Sequence, residues 1–528
     1  MDKTATEPTE PTELTDDLAH LGYTQELQRN RSLITLLFQT LAIAAIPYGE
    51  GGPLASAIYG GGQLAIFVGW IVVMVLDECI ALSLAELASR YPTSAGPHYW
   101  TFQLARTAAP SSSSSASAQL LSFVNGWAWL VGNWTITLSV NFGFASLLSA
   151  TVSIYHPNWS ASDWQLLLIF YAVCLASLLI CTLANRFLPH IDSVCAAWTL
   201  LSILVILIAL SVRADAGRHS AADTLGHYDT SLAGWGGFTF FIGLLPPAYC
   251  FAAIGMIASM AEEVDRPVIK VPQAISLCVP VGGLAGLFFI LPICATLPPL
   301  TDVANAPGGQ ALPYIFHTVM GTPGGGLGLS VLVLVITFFC SISITVAASR
   351  ATWALARDRA LPGSRLWARV HPALGVPVWS LLLVTLVQML LGLINLGSSS
   401  AFSAFVSVGV IALAASYFIP ISLSLAQRRR EVAHARFNCG PLFGFLVNAI
   451  SVAWIAFELV LFSMPTSRPV SAVSMNYASV VFAGFMAIAA VWYAIYARIC
   501  TYPPLFHCCR TAFSLLSAYK GPPESDGL

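Results

Sequence analysis

The chain contains very few charged residues for its length. Of its 528 residues, only 9% are Asp, Glu, Lys or Arg, against about 25% in an ordinary soluble domain. Charged side chains are the ones that most reliably cover a surface exposed to water. A soluble enzyme, a nucleic-acid-binding protein and a disordered scaffold are therefore excluded as descriptions of the whole chain. The net charge of −2 likewise offers no basic surface for nucleic acid.

Patterns typical of metal sites and catalytic centres are also missing. The twelve cysteines include no Cys-x-x-Cys pair, and the ten histidines are scattered along the chain. No disulfide framework, metal site, cofactor site or Ser-His-Asp set is predicted from these spacings. An enzymatic function is therefore not expected, and neither is a cofactor.

The N-terminus lacks the basic and apolar regions of a cleaved signal peptide. Residues 1–30 are polar and acidic, which predicts a disordered cytosolic tail. Residues 499–528 are predicted to form a second cytosolic tail.

Long apolar runs dominate the rest of the chain, which is 57% hydrophobic. A helix needs roughly 20 apolar residues to cross the hydrocarbon core of a bilayer. Stretches of this kind predict an all-α polytopic membrane protein with about twelve transmembrane helices. They lie at about residues 35–59, 63–88, 121–149, 164–184, 194–212, 238–261, 274–298, 327–349, 377–396, 402–426, 441–465 and 475–497.

The distribution of Lys and Arg predicts the orientation of the chain. With both termini placed in the cytosol, only Arg213, Arg218 and Arg468 of the 23 Lys and Arg residues fall on the outer side. Cytosolic loops carry the excess of basic residues in membrane proteins. The sequon at Asn158 then lies in an outer loop and is a predicted glycosylation site, whereas the sequon at Asn133 lies inside the third span.

The first and sixth spans contain residues that interrupt helices. Two prolines and three glycines occur between Pro47 and Pro53, and Pro246, Pro247 and Gly255 lie in the sixth span. Proline removes a backbone donor and glycine removes side-chain restraint. These spans open two five-helix halves, residues 35–212 and 238–426, which have inverted topology and are followed by helices 11 and 12 (441–497). Paired interruptions of this kind indicate a transporter's substrate site; the alternative is two kinks that serve packing alone.

The first two apolar spans carry acidic residues near their middle. Glu50 falls in the interruption of the first span, and Asp77 and Glu78 lie midway along the second. Each costs about 2.5–3.5 kcal/mol at the bilayer centre on insertion scales. We interpret Glu50 as a functional acid that binds a substrate amine or carries a coupled proton, with Asp77 and Glu78 as further proton-coupling candidates. The alternative is a protonated carboxyl group bonded to nearby backbone, with no role in transport.

Four motifs resemble segments of the amino acid–polyamine–organocation superfamily. Residues 83–100 (SLAELASRYPTSAGPHYW) are similar to the segment after its second helix, 260–267 (MAEEVDRP) to the end of its helix 6, and 349–358 (SRATWALARD) to the segment after its helix 8. Residues 475–484 (MNYASVVFAG) resemble the fungal choline and 4-aminobutyrate permease branch. The similarity extends from about residue 28 to residue 498.

This resemblance implies a leucine-transporter-like fold, with two inverted five-helix repeats and two extra helices. It also implies alternating access and uptake driven by an ion gradient, usually protons in fungi. A substrate carboxylate would bind the backbone amides of the interrupted first helix, and helix 6 would close the other side. The implied substrate-binding residues are Tyr48, Gly49, Glu50, Gly51, Gly52, Phe251, Ala252, Ala253, Ile254 and Gly255.

The chain departs from the superfamily pattern at two places. Relatives often carry an acidic residue in helix 6 where this chain has Ala252–Gly255, and they are typically neutral at the position of Glu50. A compensating move of the acid from helix 6 to helix 1 is one hypothesis. The charged residues at the cytosolic end of helix 6, including Glu262 and Glu263, form either an inner gate of ion pairs or a solvated charged face.

The sequence therefore predicts a proton-coupled permease for an amino acid or a related small amine such as 4-aminobutyrate or choline. Its expected partners are this solute, protons and the lipid bilayer. The expected location is the plasma membrane of a fungal cell, with an internal, vacuolar membrane as the other option. A nutrient sensor of permease fold and an exporter of a specialised metabolite remain alternatives.

Overall fold

A computed structural model describes residues 18–108, 112–215, 217–397, 401–471 and 475–497. In this part of the chain, twelve helices are long and apolar enough to cross a membrane. They are α1 (Leu33–Gly51), α2 (Gln63–Arg90), α3 (Ala116–Ser153), α4 (Asp163–Leu183), α5 (Asn185–Arg213), α6 (Gly236–Glu263), α7 (Pro267–Ala295), α8 (Pro323–Arg357), α9 (Val378–Leu396), α10 (Ala404–Ala426), α11 (Pro441–Leu461) and α12 (Ala478–Ile495).

Shorter helices lie between the spans and at their ends. They are Leu54–Tyr59, which continues α1, and Pro97–Ala108, Ala221–Gly226, Leu300–Ala304, Ala311–Met320 and Ser364–Trp367. The same residues contain no β-strand, only two isolated bridges. The predicted all-α fold with twelve spans is confirmed, with span ends displaced by several residues.

The helices form an inner group and a periphery. Most residues of α6 and α10 are buried within the protein, whereas few residues of α12 are. The outer helices expose apolar side chains, as α4 does with Leu168, Leu175 and Leu179. Apolar surface of this kind is stable against lipid but not against water. The inner helices therefore hold the buried polar groups, and the outer ones face the hydrocarbon.

The segment that precedes α1 is packed against the bundle. The composition of residues 1–30 predicts disorder, but Leu18, Tyr23 and Leu27 are buried. The backbone amides of Asn30 and Arg31 donate to the carbonyl oxygen of Glu263 over 3.0 and 3.1 Å. Over residues 18–30 the prediction of disorder is therefore wrong, because these apolar side chains find a surface to cover. Residues 1–17 and 499–528 lie outside the described residues.

Candidate substrate-binding site

The first helix is interrupted twice. The piece Leu33–Ala44 ends at Ala45, which has a left-handed backbone conformation with φ of 41°. A short helix, Ile46–Gly51, follows, and the chain turns again at Gly52 and Pro53 before Leu54–Tyr59. The sequence predicts the interruption between Pro47 and Pro53, whereas the structure places its first break at Ala45. Proline fits the first turn of a helix, so Pro47 begins the middle piece and does not interrupt it.

Two thiol groups donate hydrogen bonds to the carbonyl oxygens that lose their helical partners at this break. The Cys340 Sγ of α8 donates to the Ile43 oxygen over 3.2 Å, and the Cys250 Sγ of α6 donates to the Ala44 oxygen over 3.3 Å. A buried carbonyl group without a partner is costly. Two neighbouring helices therefore hold the break in place through otherwise weak donors.

Helix α6 changes its winding at the same depth. An α-helical piece, Leu245–Ala252, runs into eleven residues of 3₁₀-helix, Ala253–Glu263. Runs of 3₁₀-helix longer than three or four residues are uncommon, and mid-helix stretches often mark hinges. Pro246 and Pro247 lie in the first turn of the α-helical piece and so do not cause the change. They follow directly on a break at Gly243 and Leu244, where the short helix Thr239–Ile242 ends, and they lie at the start of the next piece because proline fits the first turn of a helix.

Three polar groups meet where α1, α3 and α6 pack together. The Tyr48 hydroxyl donates to the carbonyl oxygen of Ser139 over 3.3 Å. The Ser139 hydroxyl lies 2.7 Å from the Tyr249 hydroxyl. All three residues are buried. Sequence reasoning missed Ser139 and Tyr249, although a tyrosine inside an apolar span usually signals a polar partner on another helix.

The glycines of α1 bring its backbone close to α6 and its neighbours. A Cβ atom on Gly49 would lie 2.9 Å from the Cys250 sulfur, and one on Gly51 would lie 2.6 Å from the Leu312 Cδ2. A Cβ on Gly52 would lie 3.0 Å from the ring of Tyr48. The structure therefore brings the predicted α1 residues against α6 at the centre of the bundle.

The predicted α6 residues divide between two sides of the helix. Phe251 packs against Trp70 of α2 with ring centroids 5.2 Å apart. The carbonyl oxygen of Ala252 accepts a bond from the Tyr417 hydroxyl of α10 over 3.0 Å. A Cβ on Gly255 would lie 2.6 Å from the Tyr417 ring. Ala253 and Ile254 are buried beside them.

The predicted acids are buried in three different environments. Glu50 is fully buried, and in the described part of the chain neither of its carboxylate oxygens has a hydrogen-bond partner. Asp77 is buried and accepts a bond from the Trp454 indole over 2.8 Å. Glu78 is partly buried, and its Oε2 has no partner among the same residues. Sequence reasoning missed a fourth acid, Glu458 of α11, although it also lies in a long apolar run.

Several buried polar side chains of the inner helices bond to other helices. Asn141 donates to Gln388 over 2.6 Å and accepts from Ser341. Ser343 donates to Asp192 over 2.7 Å. These bonds tie inner helices together, which is the usual role of such groups in membranes.

A cavity of about 480 Å³ lies above the interruptions, at the face opposite the N-terminal segment. We call it the vestibule. Its walls come from the last piece of α1, the start of α6, and the loops that follow α7 and α11, including Ser56, Tyr59, Ile242, Leu245, Phe462 and Asn476. Ser407 of α10 also lines it and accepts a bond from Asn476 over 3.1 Å.

A buried ion cluster closes the other face, which we call the closed face. Arg31 lies 3.1 Å from Asp192 of α5 and 3.4 Å from Glu263, measured between nitrogen and oxygen. Arg350 of α8 lies 2.7 Å from the other oxygen of Glu263 and donates to Asn185 over 3.1 Å. All four charged side chains are at most 4% exposed. One carboxylate thus links the N-terminal segment, α6 and α8.

A second cluster lies beside the first. Arg357 is 2.9 Å from Glu262, and its guanidinium lies 4.0 Å from the ring centroid of Tyr23. The Tyr23 hydroxyl donates to Asp358 over 3.0 Å, and His98 lies 2.9 Å from the same carboxylate oxygen. Burial, reinforced by Asp358, raises the pKa of Tyr23 well above its ordinary value. Tyr23 therefore remains a hydrogen-bond donor at neutral pH.

The remaining charges predicted at this face are distributed more loosely. Glu86 pairs with Arg429, and Arg90 pairs with Glu431 over 3.3 Å at a partly exposed position. Asp265 is 56% exposed and lies 4.0 Å from Lys270. The face therefore combines buried ion pairs around Glu262 and Glu263 with a solvated rim, which are the two descriptions that the sequence left open.

Two interrupted helices meet at the centre of an apolar twelve-helix bundle, with a vestibule on one side and buried ion pairs on the other. This is the architecture of a membrane transporter, in which irregular backbone at membrane depth lines a solute site.

The chain belongs to the amino acid permease family, whose model matches residues 33–486. It is 30% identical to the amino-acid permease BAT1 of Arabidopsis thaliana, over 91% of this chain and 94% of that protein. It is 29% identical to the choline transporter of Saccharomyces cerevisiae (88% and 81%) and 28% identical to the polyamine transporter TPO5 of the same yeast (88% and 75%). The chain is thus a multi-pass membrane permease and not an enzyme.

Proposed function

We propose that the protein is a secondary active transporter of an amino acid or a related small amine, such as 4-aminobutyrate or choline. The observation that carries this proposal is the meeting of the interrupted α1 and α6 between the vestibule and the closed face. The names of the relatives, which include amino acid, choline and polyamine carriers, support the solute class. Opening of one face as the other closes provides alternating access.

The solute site in this proposal lies at the two interruptions. Tyr48, Gly49, Glu50, Gly51 and Gly52 form its α1 side. The α6 side comprises the predicted residues Phe251, Ala252, Ala253, Ile254 and Gly255, together with Tyr249, whose hydroxyl lies at the centre. Glu50 binds the solute amine or carries a proton, because a fully buried carboxylate without a hydrogen-bond partner requires a cation or a proton. Asp77 and Glu78 are further candidates for proton coupling.

The test is uptake of a labelled solute panel into cells that lack their own permeases, at acidic and neutral external pH. The panel contains neutral, acidic and basic amino acids, 4-aminobutyrate, choline and polyamines. We expect concentrative uptake of one class, larger at acidic pH, and loss of that uptake in Glu50→Gln. The conservative Glu50→Asp variant, which retains the charge, is the matched control for folding.

Two outcomes would contradict the proposal. If the protein reaches the cell surface and takes up nothing, a non-transporting sensor or an exporter of a specialised metabolite replaces it. If Glu50→Gln leaves uptake and its pH dependence intact, the acid on α1 has no role in recognition or coupling.

We also propose the arrangement of the chain in the membrane. Residues 35–212 and 238–426 form two inverted repeats, helices 11 and 12 (441–497) follow them, and both termini lie in the cytosol. The location is the plasma membrane or, as the other option, the vacuolar membrane. The exclusion of almost all basic residues from the vestibule side supports this orientation.

Glycosylation tests this orientation. Asn158 is exposed in the loop between α3 and α4, on the vestibule side, whereas Asn133 is buried inside α3. We expect digestion with an N-glycosidase to increase the gel mobility of the wild-type protein expressed in a fungal host. The Asn158→Gln variant should run at the digested position without treatment, and Asn133→Gln should still shift. A shift that persists in Asn158→Gln would contradict the assignment.

A further inference from the structure

Two carboxyl groups from different helices face one small cavity behind α6. Asp77 of α2 and Glu458 of α11 are each 3% exposed, and both line this cavity. Its other walls come from α6 and α10, through residues that include Phe251, Ala252, Ile254 and Tyr417. The cavity therefore lies beside the part of α6 that packs against α2 and α10.

The size of the cavity limits what it can hold. Its volume is about 10 Å³, which is room for at most a single water molecule. A solute amine does not fit, whereas a proton, with or without one water, does. The cavity can therefore hold a proton but not the solute, which binds at the interruptions of α1 and α6 in the proposed function.

No cationic side chain in the described part of the chain pairs with Asp77 or Glu458. The carboxylate of Asp77 accepts a hydrogen bond from the neutral indole of Trp454. Two carboxylates that share a buried site cannot both be charged at low cost. Other titratable groups lie near the pair. Tyr417 of α10 and Cys250 of α6 are neutral, and Glu78 and Cys79 lie on α2 itself. Cys278 of α7 lies near Glu78.

We propose that Asp77 and Glu458 hold one proton between them and form the coupling site of the transporter. Two interacting buried carboxyl groups titrate as a unit, so that the gain or loss of a proton belongs to the pair and not to either residue alone. This inference rests on the proposed transport function and replaces three single candidates with one pair, which includes a residue that the sequence did not single out.

The position of the pair connects it to the helix that changes winding. Tyr417 lines the cavity and donates to Ala252, the last residue of the α-helical piece of α6. A change in the charge of the pair therefore acts at the junction where the 3₁₀-helix begins. Coupling requires an element with two states that both ligands influence, and the α6 junction lies between the proton site and the solute site.

The transport test uses full-length protein in proteoliposomes with the solute that the panel identifies. With one proton per solute, an imposed difference of one pH unit supports about tenfold accumulation. We expect Asp77→Asn and Glu458→Gln each to lose this accumulation while exchange of labelled for unlabelled solute persists. We expect the double variant to be no worse than either single variant, because both remove the same proton. Asp302→Asn, at an exposed acid on the vestibule side, is the matched control.

Several outcomes would overturn the pair. Losses that add in the double variant would indicate two independent structural roles. Retained accumulation in either single variant, or loss of accumulation in Glu78→Gln alone, would show that another residue carries the coupling proton.

A second measurement does not depend on transport. Dicyclohexylcarbodiimide reacts with protonated carboxyl groups in apolar surroundings, and mass spectrometry locates the adduct. We expect labelling at Asp77 or Glu458 that increases as the pH falls, and we expect removal of one carboxyl group to change the pH at which the other is labelled. If the protein transports nothing, this labelling still supports the shared proton. If neither residue is labelled, the proposal of a shared proton is wrong even where uptake is found.

Discussion

Replacing Glu263 with glutamine should abolish concentrative uptake and open the closed face. Glu263 is the carboxylate that both Arg31 and Arg350 contact, at 3.4 and 2.7 Å, and the two arginines are 1% and 0% exposed. Removing one member of a buried ion pair costs about 3–5 kcal/mol, because the remaining charge stays buried without compensation. Here two guanidinium groups lose their common partner, while Asp192 continues to compensate only Arg31.

That cost applies only while the face is closed. Opening exposes Arg31 and Arg350 to water, so the substitution favours the open state by a factor of about 10²–10⁴. A transporter held open at this face cannot return to the state that takes up solute through the vestibule. We expect accumulation to fall by about tenfold or more, and Cys340, next to the break in α1, to become reactive towards a maleimide from the closed side, as located by mass spectrometry.

The chain provides a matched control for this result. Asp265 lies two residues further on, but its side chain is 56% exposed and its pair with Lys270 spans 4.0 Å. Exposed pairs of this kind contribute about 0–1 kcal/mol, so Asp265→Asn should transport normally. Glu263→Asp, which retains the charge, should recover part of the activity. Normal uptake and unchanged Cys340 labelling in Glu263→Gln would show that the cluster does not close the face.

Replacing Gly60 with alanine should have an effect of similar size at the opposite face. Gly60 ends the last piece of α1 and packs directly on Gly243 at the start of α6. A Cβ atom on Gly60 would lie 2.5 Å from the backbone nitrogen of Gly243 and would also overlap its Cα. Backbone atoms cannot rotate aside as a side chain can, so the two helices must separate. Overpacking of this kind costs about 1–3 kcal/mol or more.

We expect Gly60→Ala to reduce the uptake rate by about tenfold and to lower the melting temperature measured by fluorescence-detected size-exclusion chromatography. The control is Gly328→Ala in α8, where an added Cβ meets nothing within 4 Å. Alanine there should leave the protein unchanged or slightly more stable, because glycine within a helix costs about 0.5–1 kcal/mol relative to alanine. Equal behaviour of the two variants would show that the contact between α1 and α6 tolerates separation.

The sequence predicted those features that depend on composition. Apolar length alone places the twelve spans, and the high cost of charge in hydrocarbon places Glu50 and Asp77 in the interior. Glu458 is subject to the same cost and was missed although it lies in an apolar span, and only the fold shows that α11 places it beside Asp77 of α2. Pairing between distant helices has no signature in a single sequence.

Local winding was also beyond the reach of the sequence. Residues 253–263 contain mostly small and apolar side chains, and nothing in them distinguishes a 3₁₀-helix from an α-helix. Packing determines the winding here: Gly255 lies against the Tyr417 ring, and Glu262 and Glu263 are held by arginines at the far end. Residues 18–30 show the same limit, since their polar composition concealed Tyr23 and Leu27, which bury themselves on the bundle.

The 3₁₀-helical part of α6 determines how far the end of this helix would move if its winding changed. A 3₁₀-helix rises about 2.0 Å per residue and an α-helix about 1.5 Å, so the eleven residues from Ala253 to Glu263 span about 22 Å in one form and about 16.5 Å in the other. Rewinding this stretch would therefore draw its far end inwards by about 5 Å, one turn of an α-helix. The ion pairs of Glu262 and Glu263 cannot stretch by that distance. A change of winding in this one helix therefore links the solute site at its near end to the ion pairs of the closed face at its far end.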